Sequence, residues 1–405
     1  MISRNIELKG HIIDSLILPR VFEKIMNLSG EFNVLEFDIG KHKTDESYAI
    51  LEVIGKDKKH LDDIINQLHV FGAIEVKPKE IKIEQVQKDK VLPDYFYSTT
   101  HHPSLCYYNH TWIEVQDTEM DCAIVVNIEE NSARCVKISN IKKGDNVVVG
   151  INGIRVIPPP RSRKKEVFEF MSSNVSTEKP LHYLIKKISE EILKAKGGVA
   201  VVSGPAVIHT GASKYLAELI HNGYVDIFLG GNAVAVHDIE LALFGTSLGV
   251  HIETAEAREG GHRHHLYAIN EIRKVGSIKK AVETGLLKEG IMYECIKNNI
   301  PFVLAGSIRD DGPLPEVITD VMQAQNEMRK LLKGAKLVLM LSTMLHSIAV
   351  GNMLPSTIKT ICIDINPTAV TKLMDRGSQQ TLGLVTDVSS FLAVLMSVLN
   401  NKNTK

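Results

Sequence analysis

No excess charge of either sign runs through this chain: 47 basic residues stand against 48 acidic ones, for a formal net charge of −1. Proteins that hold nucleic acid or an anionic membrane surface rest their affinity on a basic surplus, so neither is an expected partner. The one local exception, Arg161-Ser-Arg-Lys-Lys165, follows Pro158-Pro-Pro160 and reads as a solvated, extended linker. Cysteines are few and unpatterned. Cys106, Cys122, Cys135, Cys295 and Cys362 include no CxxC pair, the expectation for reduced thiols in a cytoplasmic protein. No apolar run approaches the roughly 20 residues of a membrane span. The opening Met-Ile-Ser-Arg-Asn-Ile-Glu lacks the apolar core of a secretion signal.

Several motifs are missing as well. There is no P-loop, no G-x-S-x-G elbow and no G-x-G-x-x-G fingerprint. His262-Arg-His-His265 invites a metal, but adjacent histidines do not share a helical face and no cysteine or carboxylate completes a zinc spacing. No metal is expected, and none of the cysteines stands out as a nucleophile.

What is present is enough apolar material, 44% over 405 residues, for two or three cores. The first stretch reads strand Ile6–Ile12, helix Leu18–Leu28, strands Phe32–Ile39 and Tyr48–Ile54, helix Lys59–Phe71 and a short strand Ala73–Val76. That β-α-β-β-α-β order predicts a ferredoxin-like α+β module over 1–90, with Lys77–Lys90 a charged connector. Short apolar runs at Trp112–Val115, Ala123–Asn127, Cys135–Ile138 and Asn146–Val149 predict a small β-rich module over 91–160. A linker and connecting helix follow over 161–194. From there to 405, strands alternate with helices: Val199–Ser203, Val225–Leu229, Phe302–Ala305, Leu337–Leu341, Thr360–Ile365 and Leu382–Val385. This is the signature of an α/β domain with a Rossmann-like parallel sheet covered on both faces.

Ligands of open parallel sheets bind beyond the carboxyl ends of the strands. The run Leu337–Leu341 passes through Ser342–Ser347 into a helix, and the next strand carries Asp364 at its end. Thr343 and Asp364 stand about twenty residues apart, the interval at which dinucleotide-binding units place an acid for the adenosine ribose. An acid there favours NAD over NADP, although acids at strand ends also cap turns. Lacking glycine, the turn is expected to be wide, its pyrophosphate resting on N–H groups of Thr343–His346 at the helix N-terminus. Gly230-Gly-Asn-Ala233, Ser307–Pro315, Thr386-Asp-Val388 and Ser203-Gly-Pro-Ala206 with His209-Thr-Gly211 are further strand exits.

Leu92-Pro-Asp-Tyr-Phe-Tyr-Ser-Thr-Thr100, Trp112-Ile-Glu-Val115, Met120-Asp121, Ala305–Pro315 and the Thr343–His346 turn carry a resemblance. Together they resemble the family built on the conserved LOR/SDH region of lysine-ketoglutarate reductase/saccharopine dehydrogenase. That region recurs in stand-alone archaeal ornithine cyclodeaminases and in the C-terminal half of cyanobacterial arginine dihydrolases. The family's C-terminal domain is similar to the NAD-binding fold of deoxyhypusine synthase. The resemblance implies an NAD site lined by Asn232, Ala233, Asp311, Thr343, Met344, Leu345, His346, Asp364, Asp387 and Val388.

The implied activity converts L-ornithine to L-proline and ammonia without net redox change, in a homo-oligomer. Such a reaction needs a base for the α-ammonium, a carboxylate ligand and an acid at the departing amine. Asp310, Glu253 and His209 are candidates for catalysis by their nearness to the exit loops. Thr99, Thr100, His101 and Arg258 are weaker candidates for substrate contacts. Two alternatives stay open: another NAD-dependent amino-acid enzyme, deoxyhypusine-synthase-like or opine-type, and a non-catalytic sensor of NAD and amino acid. The absence of lysine from the exit loops counts against the synthase, whose chemistry needs a covalent imine.

Overall fold

The computed structural model describes residues 2–157, 181–251, 263–376 and 381–403, apart from Asp14, Lys43, Thr44, Lys77, Pro78, Gly249 and Asp311. The proline and basic run at 158–165, Glu253, Arg258 and His262 therefore lie outside the described residues, as does Asp311. The chain divides into two compact units, Met1–Glu166 with Asn352–Thr357, and Val167–Gly351 with Ile358–Lys405.

In the first unit, strict alternation builds a one-sided sheet. Strands β1 (Ile2–Gly10), β2 (Glu31–Asp38), β3 (Ser47–Gly55) and β4 (Ile74–Glu75) pair antiparallel in the order β2-β3-β1-β4. Along β3 every second residue, from Ser47 through Ala49, Leu51 and Val53, points inward. Ile17, Leu18, Val21 and Ile25 of the helix Ile17–Asn27 and Leu61, Ile64, Ile65 and Leu68 of the helix Lys58–Leu68 cover that face. Asp57 caps the second helix by accepting the His60 N–H at 2.9 Å. This is the expected ferredoxin-like order.

A second sheet follows. Its strands are β5 (Lys82–Gln85), β6 (Ser104–Tyr108), β7 (Thr111–Gln116), β8 (Ala123–Asn127), β9 (Ser132–Val136), β10 (Asn146–Val149) and β11 (Ile154–Val156), in the order β11-β6-β7-β9-β8-β10-β5. Two sequence readings are corrected here. The charged connector contains β5, which pairs antiparallel with β10; Lys82 and Glu84 mask it because they belong to an edge strand. The strand expected at Cys135–Ile138 is Ser132–Val136, and Ile138–Asn140 is instead a turn of 3₁₀ helix.

In the second unit the helix Leu181–Lys194 leads into β12 (Val199–Ser203), and β13 (Ile227–Gly231) follows. A small hairpin, β14 (Thr246–Ser247) with β15 (Val250–His251), stands apart. Then come β16 (Phe302–Ala305), β17 (Val317–Ile318), β18 (Leu337–Leu341), β19 (Lys359–Asp364) and β20 (Thr381–Val385). Except for the hairpin, these strands form one sheet in the order β17-β16-β13-β12-β18-β19-β20, every pair parallel. β12, β13 and β18 are buried along their whole length, as a sheet covered on both faces requires. Order reverses at β12, from which the chain builds outward to β13 and, much later, to β18 on the other side. No described helix is long and apolar enough to cross a membrane.

The helix Asn232–Phe244 packs inside this unit and carries a carboxylate inward. Asp238, 1% exposed, accepts the N–H groups of Ile291 and Met292 at 2.9 and 2.8 Å and so closes the start of the helix Ile291–Lys297. Burial pushes its carboxyl up to about 7, and the two amide donors oppose that rise. Asp238→Ala should lower unfolding free energy by roughly 2–4 kcal/mol, because two buried N–H groups lose their acceptor. An unchanged urea midpoint would refute that role.

A buried histidine in the first unit sets a pH response. His69 Nε2 lies 3.0 Å from the Tyr97 hydroxyl, and burial alone pushes its imidazole down to about 4. The unfolded chain, with an ordinary histidine near 6.5, binds more protons between those two values, so acidification through this window removes stability. His69 alone should account for roughly 2 kcal/mol lost at pH 5 relative to pH 7.5. In denaturation curves at the two pH values, His69→Phe should shrink the difference in midpoint shown by the parent.

Candidate functional site

The carboxyl ends of β12 and β18 meet where the strand order reverses, the position at which open α/β sheets bind ligands. Between Leu341 and the helix Met344–Met353 stand two residues, Ser342 and Thr343. The wide turn expected in the absence of glycine is thus not what forms. Ser342 takes a left-handed backbone, φ 49°, while its N–H donates to the Ile363 carbonyl of β19 at 2.9 Å. A serine held there costs on the order of 1 kcal/mol, a strain typical of ligand-binding turns.

The glycines of the site come from other strands. A Cβ at Gly204, just past β12, would lie 2.3 Å from the Ser342 carbonyl oxygen and 2.9 Å from Thr343 Cβ. A Cβ at Gly231, the last residue of β13, would lie 2.9 Å from Cε1 of His346. Bare backbone at the ends of β12 and β13 therefore lets the Ser342–His346 turn pack against them. His346 Nδ1 faces the Thr343 hydroxyl at 3.3 Å. Burial lowers the His346 imidazole from its ordinary value, and the negative charge of Asp310 at the β16 exit opposes that. Met344 and Leu345, 45% and 75% exposed, leave two large apolar side chains in solvent at the start of the helix.

Other expected residues have duties of their own. Asp364 Oδ1 accepts the Asn366 N–H at 2.8 Å, which fixes the turn after β19. Asp387 Oδ1 accepts the Ser390 N–H at 2.8 Å, an N-cap for the helix Val388–Asn403, while Val388 is buried beneath it. Asn232 Oδ1 accepts the Leu314 N–H at 3.1 Å and ties the β13 exit to the loop after β16; Ala233 beside it is exposed. Asp310 Oδ2 accepts the Ser307 N–H at 2.8 Å, shaping its own loop. In the first unit, the Thr99 hydroxyl donates to the Glu119 carbonyl at 2.6 Å and Thr100 Oγ1 accepts the His102 N–H at 3.2 Å. Those two threonines are built into turns. His101 presents a buried Nδ1 without a hydrogen-bond partner.

Sequence reasoning singled out His209 but missed its surroundings. His209 Nδ1 shares a 2.6 Å hydrogen bond with Ser247 Oγ, and its ring meets that of His237 at 4.8 Å, edge to face. His237 Nδ1 lies 2.8 Å from Glu240 Oε2, whose other oxygen accepts the Thr246 hydroxyl at 3.0 Å. Thr246 also meets His264 Nδ1 at 2.7 Å. The available signal was a histidine and a glutamate three residues apart on a mostly apolar helix that also carries Asn232 and Asp238. Among the described residues no cluster has the make-up of a metal site.

This arrangement has known relatives. Residues 3–102 match the LOR/SDH bifunctional enzyme conserved region, 103–185 the first region of the ArgZ-like arginine dihydrolase C-terminus, and 184–395 its Rossmann fold. The ornithine cyclodeaminase of Methanocaldococcus jannaschii is 58% identical over 98% of this chain and 96% of its own. A crystal structure of a conserved LOR/SDH protein from Methanococcus maripaludis is 53% identical, with TM-score 0.75 over 80% of this chain and 98% of that one. A ternary complex of AgrE with ornithine and NAD+ is 43% identical, with TM-score 0.55 over 100% of this chain and 58% of that one. AgrE of Nostoc sp. is a bifunctional arginine dihydrolase/ornithine cyclodeaminase. With identity of this level over nearly its full length, the chain belongs to the ornithine cyclodeaminase family built on the LOR/SDH conserved region.

Proposed function

We propose that this chain is an NAD-dependent ornithine cyclodeaminase, converting L-ornithine to L-proline and ammonia. The observation that carries the reading is the full-length identity with archaeal ornithine cyclodeaminases, joined to a relative of the same fold complexed with both ornithine and NAD+. The residues at the sheet edge fit a dinucleotide. N–H groups of Thr343–His346 open a helix N-terminus to the pyrophosphate, Gly204 and Gly231 keep the approach free of side chains, and Met344 and Leu345 offer apolar cover. Asp364 Oδ2 takes the adenosine ribose hydroxyls, and Ala233, Asp311, Asp387 and Val388 complete the proposed lining.

When bound, NAD supplies an acceptor and later a donor for the hydride of the substrate α-carbon. The chain does the rest. Neutral imidazoles offer lone pairs to ammonium protons. His209, pushed down to about 4 by burial and then by the charge of His237, with Glu240 opposing, is neutral at neutral pH. Asp310 stands beside His346 at the β16 exit, and Glu253 is carried as a further candidate. The same reading takes the protein as cytoplasmic and homo-oligomeric. Five free thiols agree with the first, and the exposed Val34, Leu35 and Phe37 on edge strand β2 support the second.

Two measurements test this. Ornithine deuterated at the α-carbon should give proline that keeps the label, with NAD needed in catalytic amounts and no reduced cofactor accumulating. Loss of the label, or reduced cofactor appearing mole for mole with substrate consumed, rules the redox-neutral reaction out. Separately, Asp364→Ala should weaken NAD binding by about 1–3 kcal/mol, the range for a hydrogen bond to a charged group, and narrow the preference over NADP. Calorimetry showing equal NAD affinity in variant and parent would move the adenosine elsewhere.

A further inference from the structure

The helix Asn232–Phe244 buries two acids, and the second has a different task from Asp238. Glu240 has no exposed surface. A carboxylate in such a place is stable only if donors surround it. It receives the Thr246 hydroxyl at 3.0 Å, the Leu248 N–H at 3.3 Å, and His237 at 2.8 Å. Because a carboxylate accepts, His237 must carry its proton on Nδ1, which leaves the lone pair on Nε2.

The neighbours restrict what that imidazole can do. His209 stands edge-on at 4.8 Å with its own Nδ1 held by Ser247, and His265 approaches from the helix His264–Val275 at 6.3 Å. A second positive charge beside the first is disfavoured, and the carboxylate lies against His237. Of the two rings, His237 is the one whose Nδ1 lies against the carboxylate.

Location gives the cluster its use. His209 ends the short helix Ala206–His209 that follows the β12 exit. His237 lies five residues along the helix that begins at the β13 exit, roughly 7 Å from it at 1.5 Å per residue. Asp364 ends β19, three strand spacings from β13, about 14 Å away. A dinucleotide with its adenosine at Asp364 sends its reactive end toward β12 and β13, where the two imidazoles are.

We infer that His237, oriented by the buried Glu240, is the base that takes the α-ammonium proton of ornithine, and that Glu240 is its positioning residue. The inference rests on the cyclodeaminase reading. One N–H bond of the α-ammonium breaks, its electron pair stays on the nitrogen, and the proton goes to His237 Nε2. After ring closure the same proton returns to that nitrogen. The δ-amine attacks as the free base, its ammonium proton having gone to water, and the ring nitrogen then gives a second proton to water, which frees its lone pair. The C–N bond breaks with its pair leaving on ammonia while that lone pair closes the C=N bond, the hydride held by bound NAD returns to the carbon, and ammonia and the proline nitrogen recover the two protons from water. His237 ends as it began.

The test compares the full-length parent with His237→Gln and Glu240→Gln, each checked for an unchanged melting temperature. His237→Gln should lower kcat by about 100-fold or more, within the range for general acid–base catalysis, while the Kd for NAD alone stays within about twofold. Its kcat/KM should climb about tenfold per pH unit toward alkaline pH, as free ornithine sheds the proton unaided, where the parent has reached a plateau. Glu240→Gln should show a smaller loss of kcat with KM unchanged. If His237→Gln fails to fold, His237→Asn and Glu240→Gln carry the comparison. A His237 variant that keeps kcat within about threefold, follows the parent's pH profile, or loses NAD affinity together with activity overturns the assignment. A parent that binds NAD and ornithine yet forms no proline overturns the cyclodeaminase reading itself, and is seen before any variant is made.

Discussion

The carboxyl edge of the parallel sheet depends on main chain touching main chain. Gly204, leaving β12, lies so close to the Ser342 carbonyl that even a methyl group could not be inserted. Around that contact the rest is arranged. Ser342 accepts a left-handed backbone, the helix Met344–Met353 starts two residues after its strand, and His346 lies over Gly231. In the familiar fingerprint, one loop supplies both the turn and the glycines that let a pyrophosphate approach. Here those jobs are divided among three neighbouring strands, so no contiguous motif exists to be found.

That division explains what the sequence could and could not reveal. The alternation along Ser47–Gly55 and the solid apolar runs Val199–Ser203 and Leu337–Leu341 are visible because burial alone decides them. The β-α-β-β-α-β order and the parallel sheet follow from such runs. β5 was hidden by Lys82 and Glu84, and β17 is two residues long, below any periodicity. The place of Asp364 at the end of its strand was legible, and the structure shows its Oδ1 holding the local turn, the alternative that an acid at a strand end always carries. The conformation of Ser342 was not legible, since serine carries no mark of a positive φ. Glu240 was missed for a different reason. An acid two residues from Asp238 looks like a solvated surface residue until Thr246, Leu248 and His237 are seen around it.

Polar groups in this fold are concentrated where burial makes them expensive to leave alone. Asp238 and Glu240 sit two residues apart on one helix, and each is answered by a different segment: the start of Ile291–Lys297 for the first, the β14 strand and His237 for the second. Neither could be exchanged for the other, because the donors that satisfy them are fixed in different directions. The helix thus links the packing of the second unit to the geometry of its histidines. A substitution that loosened Asp238 would reach the imidazoles through the same helix.

The contact at Gly204 also has a meaning in time. Positions 204 and 342 are far apart in the chain, and the segment between them carries β13, β16 and β17 on one flank of β12 while β18 pairs with β12 on the other. Long-range parallel pairing is slow, because the entropy of closing so large a loop is lost before any contact rewards it. The Gly204–Ser342 contact, and the cradle proposed around it, exists only once that pairing is made. A nucleotide that uses this edge as proposed therefore needs the paired strands, which the unpaired chain does not offer.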